Sequence, residues 1–82
     1  MKLDKKELKK AFNSIPKSRH RANVDQRAYI IGALYYACGM TEQLVAEHLD
    51  IGRDTVHHAK VSSIRFKDDL IYQYNTQKLR KK

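Results

Sequence analysis

A small all-α bundle of four to five helices, containing a helix-turn-helix, is the fold class this sequence predicts. Three observations predict it. Three glycines and one proline are little punctuation for 82 residues, which favours a few helices over many short strands. Apolar residues recur at three- and four-residue spacing in stretches that begin on capping residues. Between Glu42 and Ala59, six positions carry the residue types needed where two helices cross steeply over a tight turn. The length allows one domain. Within 1–82 it divides into an N-terminal helix (1–16), a helix-turn-helix core (17–66) and a C-terminal helical extension with a basic tail (67–82).

Each element has its own signal. Asp4-Lys5-Lys6-Glu7 has the form of a capping box, and Leu8, Ala11, Phe12 and Ile15 follow at helical spacing. A first helix is therefore expected over 4–14, ended by Pro16. Lys17-Ser18-Arg19-His20-Arg21 reads as a basic connector, and Asn23-Val24-Asp25-Gln26 as the start of a second helix, about Asp25 to Ala37. Ile30, Ile31, Ala33, Leu34, Tyr35, Tyr36 and Ala37 lie nearly all round that helix, so it is expected to be central, with Gly39 as its stop. Thr41 is a good N-cap for a third helix, Glu42 to about Leu49. A fourth helix starts near Arg53. The stripe Val56, Ala59, Ser63, Phe66, Leu70 predicts that it runs on past Phe66.

Within the crossing motif, Ala46 is the small residue at the point of closest approach. Val45 and Leu49 face the core from the first helix, Ile51 fills the space under the turn, and Val56 and Ala59 face inward from the second. The turn needs a left-handed residue, and Asp50 tolerates that conformation better than most.

Seventeen Lys and Arg against nine Asp and Glu give a formal charge of +8, and a polyanionic partner follows, nucleic acid first. The one cysteine, Cys38, sits in an apolar run and reads as a core residue of a reduced, cytoplasmic protein. The apolar run Tyr29 to Cys38 is too short to span a bilayer. Met1 to Lys6 has no apolar run behind it and is not expected to be a secretory signal. Enzymatic chemistry is not expected. His57 and His58 are adjacent, so on a helix they diverge by about 100° and cannot easily chelate one metal. Asp68 and Asp69 read as solvated helix charges, and there is neither zinc spacing nor a Gly-rich phosphate loop. No cofactor or metal is implied.

In a helix-turn-helix the N-terminal residues of the second helix enter the major groove. Here those are Arg53, Asp54, Thr55, His57, His58 and Lys60. Arg53 can donate two hydrogen bonds to guanine or pair with phosphate, and Thr55 can bond phosphate or touch a thymine methyl. His57 and His58 can donate to phosphates or base acceptors, and Asp54 can cap the helix, orient Arg53 or accept from cytosine. Thr41, Glu42 and Gln43 open the third helix, whose free N–H groups can hold a phosphate, although Glu42 opposes it. Arg19 and Arg21, with Arg27 beyond them, form a second basic element suited to the minor groove or the backbone.

From Ser18 to about Ile64 the chain resembles the C-terminal DNA-binding domain of the bacterial replication initiator DnaA. Arg19-His20-Arg21-Ala22 followed by Arg27 looks like that family's basic loop and the arginine after it. Gly52-Arg53-Asp54-Thr55-Val56-His57-His58-Ala59 is similar to its signature G-R-D-H-T-T-V-x-H-A, two residues shorter for want of the internal H-T. The resemblance implies a Trp-repressor-like helix-turn-helix on duplex DNA, with Arg19 and Arg21 serving the loop contacts and Asp54, Thr55 and His58 the signature contacts. Without an ATPase module, the chain looks like a stand-alone domain of phage or mobile-element type.

The expected function is sequence-specific duplex-DNA binding by a small transcriptional regulator or replication accessory. It would put residues 53–66 in the major groove and act on the nucleoid of a bacterial or infected cell. The alternatives are a protein–protein interaction module and a non-specific nucleic-acid-binding or virion-packaged protein. A homodimer through Phe66, Leu70, Ile71 and Tyr74 is possible, as is a fold in which that stripe instead covers Leu8, Phe12 and Ile15.

Overall fold

The segment that is apolar on nearly every side lies at the centre of the fold. The computed structural model describes residues 4–16 and 20–80, with side chains through Gln77. It contains helices α1 (Lys5–Ser14), α2 (Arg21–Gly32), α3 (Glu42–Leu49), α4 (Arg53–Ser62) and α5 (Lys67–Arg80). A π-helical turn, Ala33–Ala37, continues α2, and a short 3₁₀ turn, Ile64–Phe66, joins α4 to α5. Helices α1 and α4 pack on α2, α3 packs on α4, and α5 packs on the π turn. One core results, holding Leu8, Ile30, Ile31, Ala33, Leu34, Val45, Ala46, Leu49, Val56 and Leu70. Full burial of a leucine or isoleucine side chain contributes about 1.5–3 kcal/mol.

Helix α1 starts where expected, but the carboxylate of Asp4 makes no capping bond. The Asp4 carbonyl instead accepts from the Leu8 N–H at 2.8 Å. Leu8 is fully buried, and the His48 imidazole ties α3 to this end of α1 through Nε2 and the Lys5 carbonyl, 3.0 Å apart. A carbonyl can only accept, so His48 Nε2 carries the proton.

The second helix starts at Arg21, four residues before the expected Asp25, with His20 as its N-cap. No glycine or proline interrupts 20–25, and the Val24 N–H closes the first turn on the His20 carbonyl at 3.0 Å. Arg21 therefore belongs to a helix and not to a basic loop. Lys17, Ser18 and Arg19 lie outside the described residues. At its other end the helix widens, and the Cys38 N–H reaches the Ala33 carbonyl five residues back at 3.0 Å. Leu34 stays in the core while Tyr35 and Tyr36 stand half-buried side by side. Gly39, at φ 73°, ends the run as expected. Burial raises the Cys38 thiol above its ordinary value, as suits a core thiol.

The turn between α3 and α4 is closed by a Schellman pattern. Asp50 has φ 56° and ψ 51°, its N–H meets the Glu47 carbonyl, and the Ile51 N–H meets the Ala46 carbonyl at 2.9 Å. Ala46 is buried in the core, and Ile51 packs on it under the turn. Asp50 is the only non-glycine residue with positive φ among the described residues. Replacing it with glycine removes the Cβ penalty of the left-handed conformation. Asp50→Gly is expected to stabilise the protein by about 0.5–1 kcal/mol, seen as a higher melting temperature. An unchanged or lower value would mean that the turn does not take this form.

The fourth helix does not run on through Phe66, as the stripe had predicted. It ends at Ser62, and Ser63 leaves helical geometry at φ −97°, ψ 6°. The Ser63 hydroxyl is buried and donates back to the Ala59 carbonyl at 2.8 Å, a bond that favours bending. The stripe still marks the inner side: Val56, Ser63 and Leu70 are buried, and Ala59 and Phe66 pack against the core. Phe66 meets the edge of Tyr29 with centroids 5.5 Å apart. Leu70 is wholly committed to this chain's core, beside the π turn, whereas Ile71 and Tyr74 are half-buried.

Candidate nucleic-acid interface

Helix α4 has two faces. Val56 is buried and Ala59 packs on the core, while Arg53, Asp54, Thr55, His57 and His58 are all exposed. Gly52 is the N-cap of α4 and no side chain caps it, so Asp54 does not serve as the cap. Asp54 lies in the first turn, where a carboxylate is favoured by the helix dipole.

The start of α3 faces the same end of α4. Thr41 caps α3, its Oγ1 accepting from the Leu44 N–H at 3.1 Å, and Gln43 is exposed. Thr41, Gln43, Arg53 and Lys60 line one open groove of about 730 Å³, together with Glu42, Met40, Gly39 and the two tyrosines. Two segments that are separate in sequence thus contribute to one surface.

Glu42 organises that surface, and the sequence reading gave it only an opposing role. Its Oε2 pairs with Lys60 Nζ and accepts from His57 Nδ1 at 3.1 Å. The bonds from Lys60 and then His57 hold its carboxyl below the usual carboxylate range. The same pair raises the Lys60 amine. Because the folded value of Glu42 is lowered, its contribution to stability is present above the ordinary carboxylate range. That contribution is lost as pH falls through the lowered value. Lys60 also stands over the Tyr35 ring at 4.7 Å, and its carbonyl accepts from the Tyr36 hydroxyl at 3.0 Å. Desolvation is the main cause of a raised Tyr36 phenol. Lys60 is therefore half-buried and anchored, unlike the five exposed residues before it. Local periodicity could not reveal this, because Glu42 lies 15 residues from His57 and on another helix.

Of the second basic element, Arg21 and Arg27 both lie on α2. Arg27 is half-buried and donates from a guanidinium nitrogen to the Pro16 carbonyl at 2.9 Å, bracing the chain between α1 and α2. Arg21 is exposed in the first turn of α2. Arg19 lies outside the described residues.

Among the described residues, no group of three or more His, Cys, Asp or Glu side chains is placed to hold a metal ion. The His57 and His58 rings meet edge to face, centroids 5.9 Å apart. No helix among the described residues is long and apolar enough to cross a membrane.

The fold is thus a small helical bundle whose α3–turn–α4 unit presents polar side chains from the start of α4, with Leu44 and Val61 also exposed on the two helices. No family model, curated protein or solved structure matches the chain.

Proposed function

We propose that this chain is a sequence-specific duplex-DNA-binding protein, a small transcriptional regulator or replication accessory of the bacterial or phage nucleoid. In this reading α3, the turn and α4 form a helix-turn-helix, and α4 is the reading helix. One observation carries it: five of the six residues of α4 from Arg53 to His58 are polar and exposed, around a single buried anchor, Val56, on a chain of net charge +8. A helix held from beneath and polar on its outer face fits a major groove about 12 Å wide. The resemblance of 52–59 to the DnaA signature supports the same assignment. Arg21 adds positive charge from α2, and Thr41 and Gln43 sit at the start of α3, where free N–H groups favour a phosphate.

The test is selection of bound duplexes from a random pool, followed by affinity measurements on the selected and random sequences. Arg53→Ala and Thr55→Ala are expected to weaken the selected site more than random DNA, by about 1–2 kcal/mol each. Arg21→Ala is expected to weaken both alike, because a backbone contact carries no sequence information. Equal losses on both DNA types for all three variants would remove α4 as the reader. Absence of binding at low salt would remove DNA as the partner.

A further inference from the structure

The hydrogen bond between α3 and α4 at Glu42 fixes more than a side-chain position. A carboxylate at neutral pH has no proton to give, so the hydrogen in the His57–Glu42 contact belongs to His57 Nδ1. In a neutral imidazole the other nitrogen is then a bare acceptor, because the partner of one ring nitrogen sets the state of the other. His57 Nε2 lies on the far side of the ring from Glu42, on a side chain 56% exposed, and has no hydrogen-bond partner among the described residues. Among the charged residues on the outer face of α4 none offers this: Arg53 only donates, and Asp54 accepts as an anion. The Thr55 hydroxyl and the His58 ring can each donate or accept, with no partner among the described residues that fixes which.

We propose that Glu42 sets His57 as a specificity-determining acceptor that reads an exocyclic amino group in the major groove, the N6 of adenine or the N4 of cytosine. The assignment rests on the DNA-binding reading of α4. Every base pair shows one such amino group in the major groove, on the adenine or cytosine strand, while guanine and thymine show acceptors. The preference is therefore amino over keto base at one position of one strand. Glu42 is a positioning residue that acts through His57. The groups facing His57 are Glu42 from α3, and Lys60 and His58 from α4 itself. Lys60 supports the arrangement by keeping Glu42 ionised.

Two measurements on the full chain test this. The first is long-range ¹⁵N–¹H NMR of the free protein at pH 8. The Nδ1–H tautomer of His57 is expected in the wild type, and a mixture in Glu42→Gln, whose amide can donate as well as accept. A dominant Nε2–H tautomer in the wild type would overturn the proposal. The second is duplex selection at pH 8 with wild type, Glu42→Gln and His57→Ala. The wild type is expected to show one position favouring adenine or cytosine by about fivefold, the worth of one hydrogen bond. His57→Ala is expected to flatten that position alone and Glu42→Gln to weaken it. A motif with no position altered by His57→Ala overturns this assignment and leaves the DNA-binding reading intact. A pool without enrichment for any of the proteins overturns that reading and this assignment with it.

Discussion

Gly32→Ala is expected to destabilise the protein by about 2–3 kcal/mol, lowering the melting temperature by about 10–20 °C in a domain of this size. The usual effect of this change within a helix is the opposite, a gain of up to about 1 kcal/mol. Here a Cβ on Gly32 would stand 2.3 Å from Ser63 Oγ and 2.9 Å from Ser63 Cβ. Rotating the hydroxyl away relieves only the first contact, because the Ser63 Cβ is fixed by its backbone. Helix α2 and the end of α4 would have to move apart at a fully buried crossing. Ser63→Gly removes both opposing atoms and is expected to restore at least about 1 kcal/mol in the double variant, which a double-mutant cycle measures. Gly52→Ala is the control, since its Cβ would meet only Thr55 Oγ1 at 3.8 Å, an ordinary contact. Thermal unfolding of the four variants decides the matter. A Gly32→Ala protein as stable as wild type would show that α2 and α4 do not meet at this point.

Affinity for duplex DNA is expected to fall about a thousandfold between 50 and 200 mM monovalent salt. Contact with roughly six phosphates gives a slope near −5 in log affinity against log salt. A charge of +8 on 82 residues supplies enough cations, even with Lys60 engaged by Glu42 and Arg27 bracing Pro16. Glu42→Gln frees Lys60 from its ion pair and is expected to steepen the slope by up to about one unit. Fluorescence anisotropy with a labelled duplex across a salt series gives both slopes. A slope near zero would favour the protein-interaction reading. A steep slope with equal affinity for all sequences would favour non-specific packaging.

Much of the fold was legible from short-range signals. Thr41 is the cap of α3, Gly39 the stop before it, and Asp50 the left-handed turn residue, because each conformation is set by a residue's own chemistry. The inward positions Val45, Ala46, Leu49 and Val56 were legible from spacing, since helical periodicity maps directly onto a buried face. The exposed positions of Arg53, Asp54, Thr55, His57 and His58 followed from the same periodicity.

Other features depend on atoms that meet across the fold. Nothing near Ser63 in the chain ends a helix; it bends where its buried hydroxyl bonds backwards and its Cβ lies against Gly32, 31 positions earlier. Leu70 had the right spacing for several partners, and its place beside the π turn depends on that bend. The early start of α2 was hidden because Arg19-His20-Arg21 resembles a basic loop in composition, although no residue there prevents a helix. Glu42 shows the same limit at the site. As a residue it is one more acid at a helix start. Only the packing of α3 on α4 brings its carboxylate to Lys60 and His57, because hydrogen bonds and ion pairs form within about 3 Å in space whatever the separation along the chain.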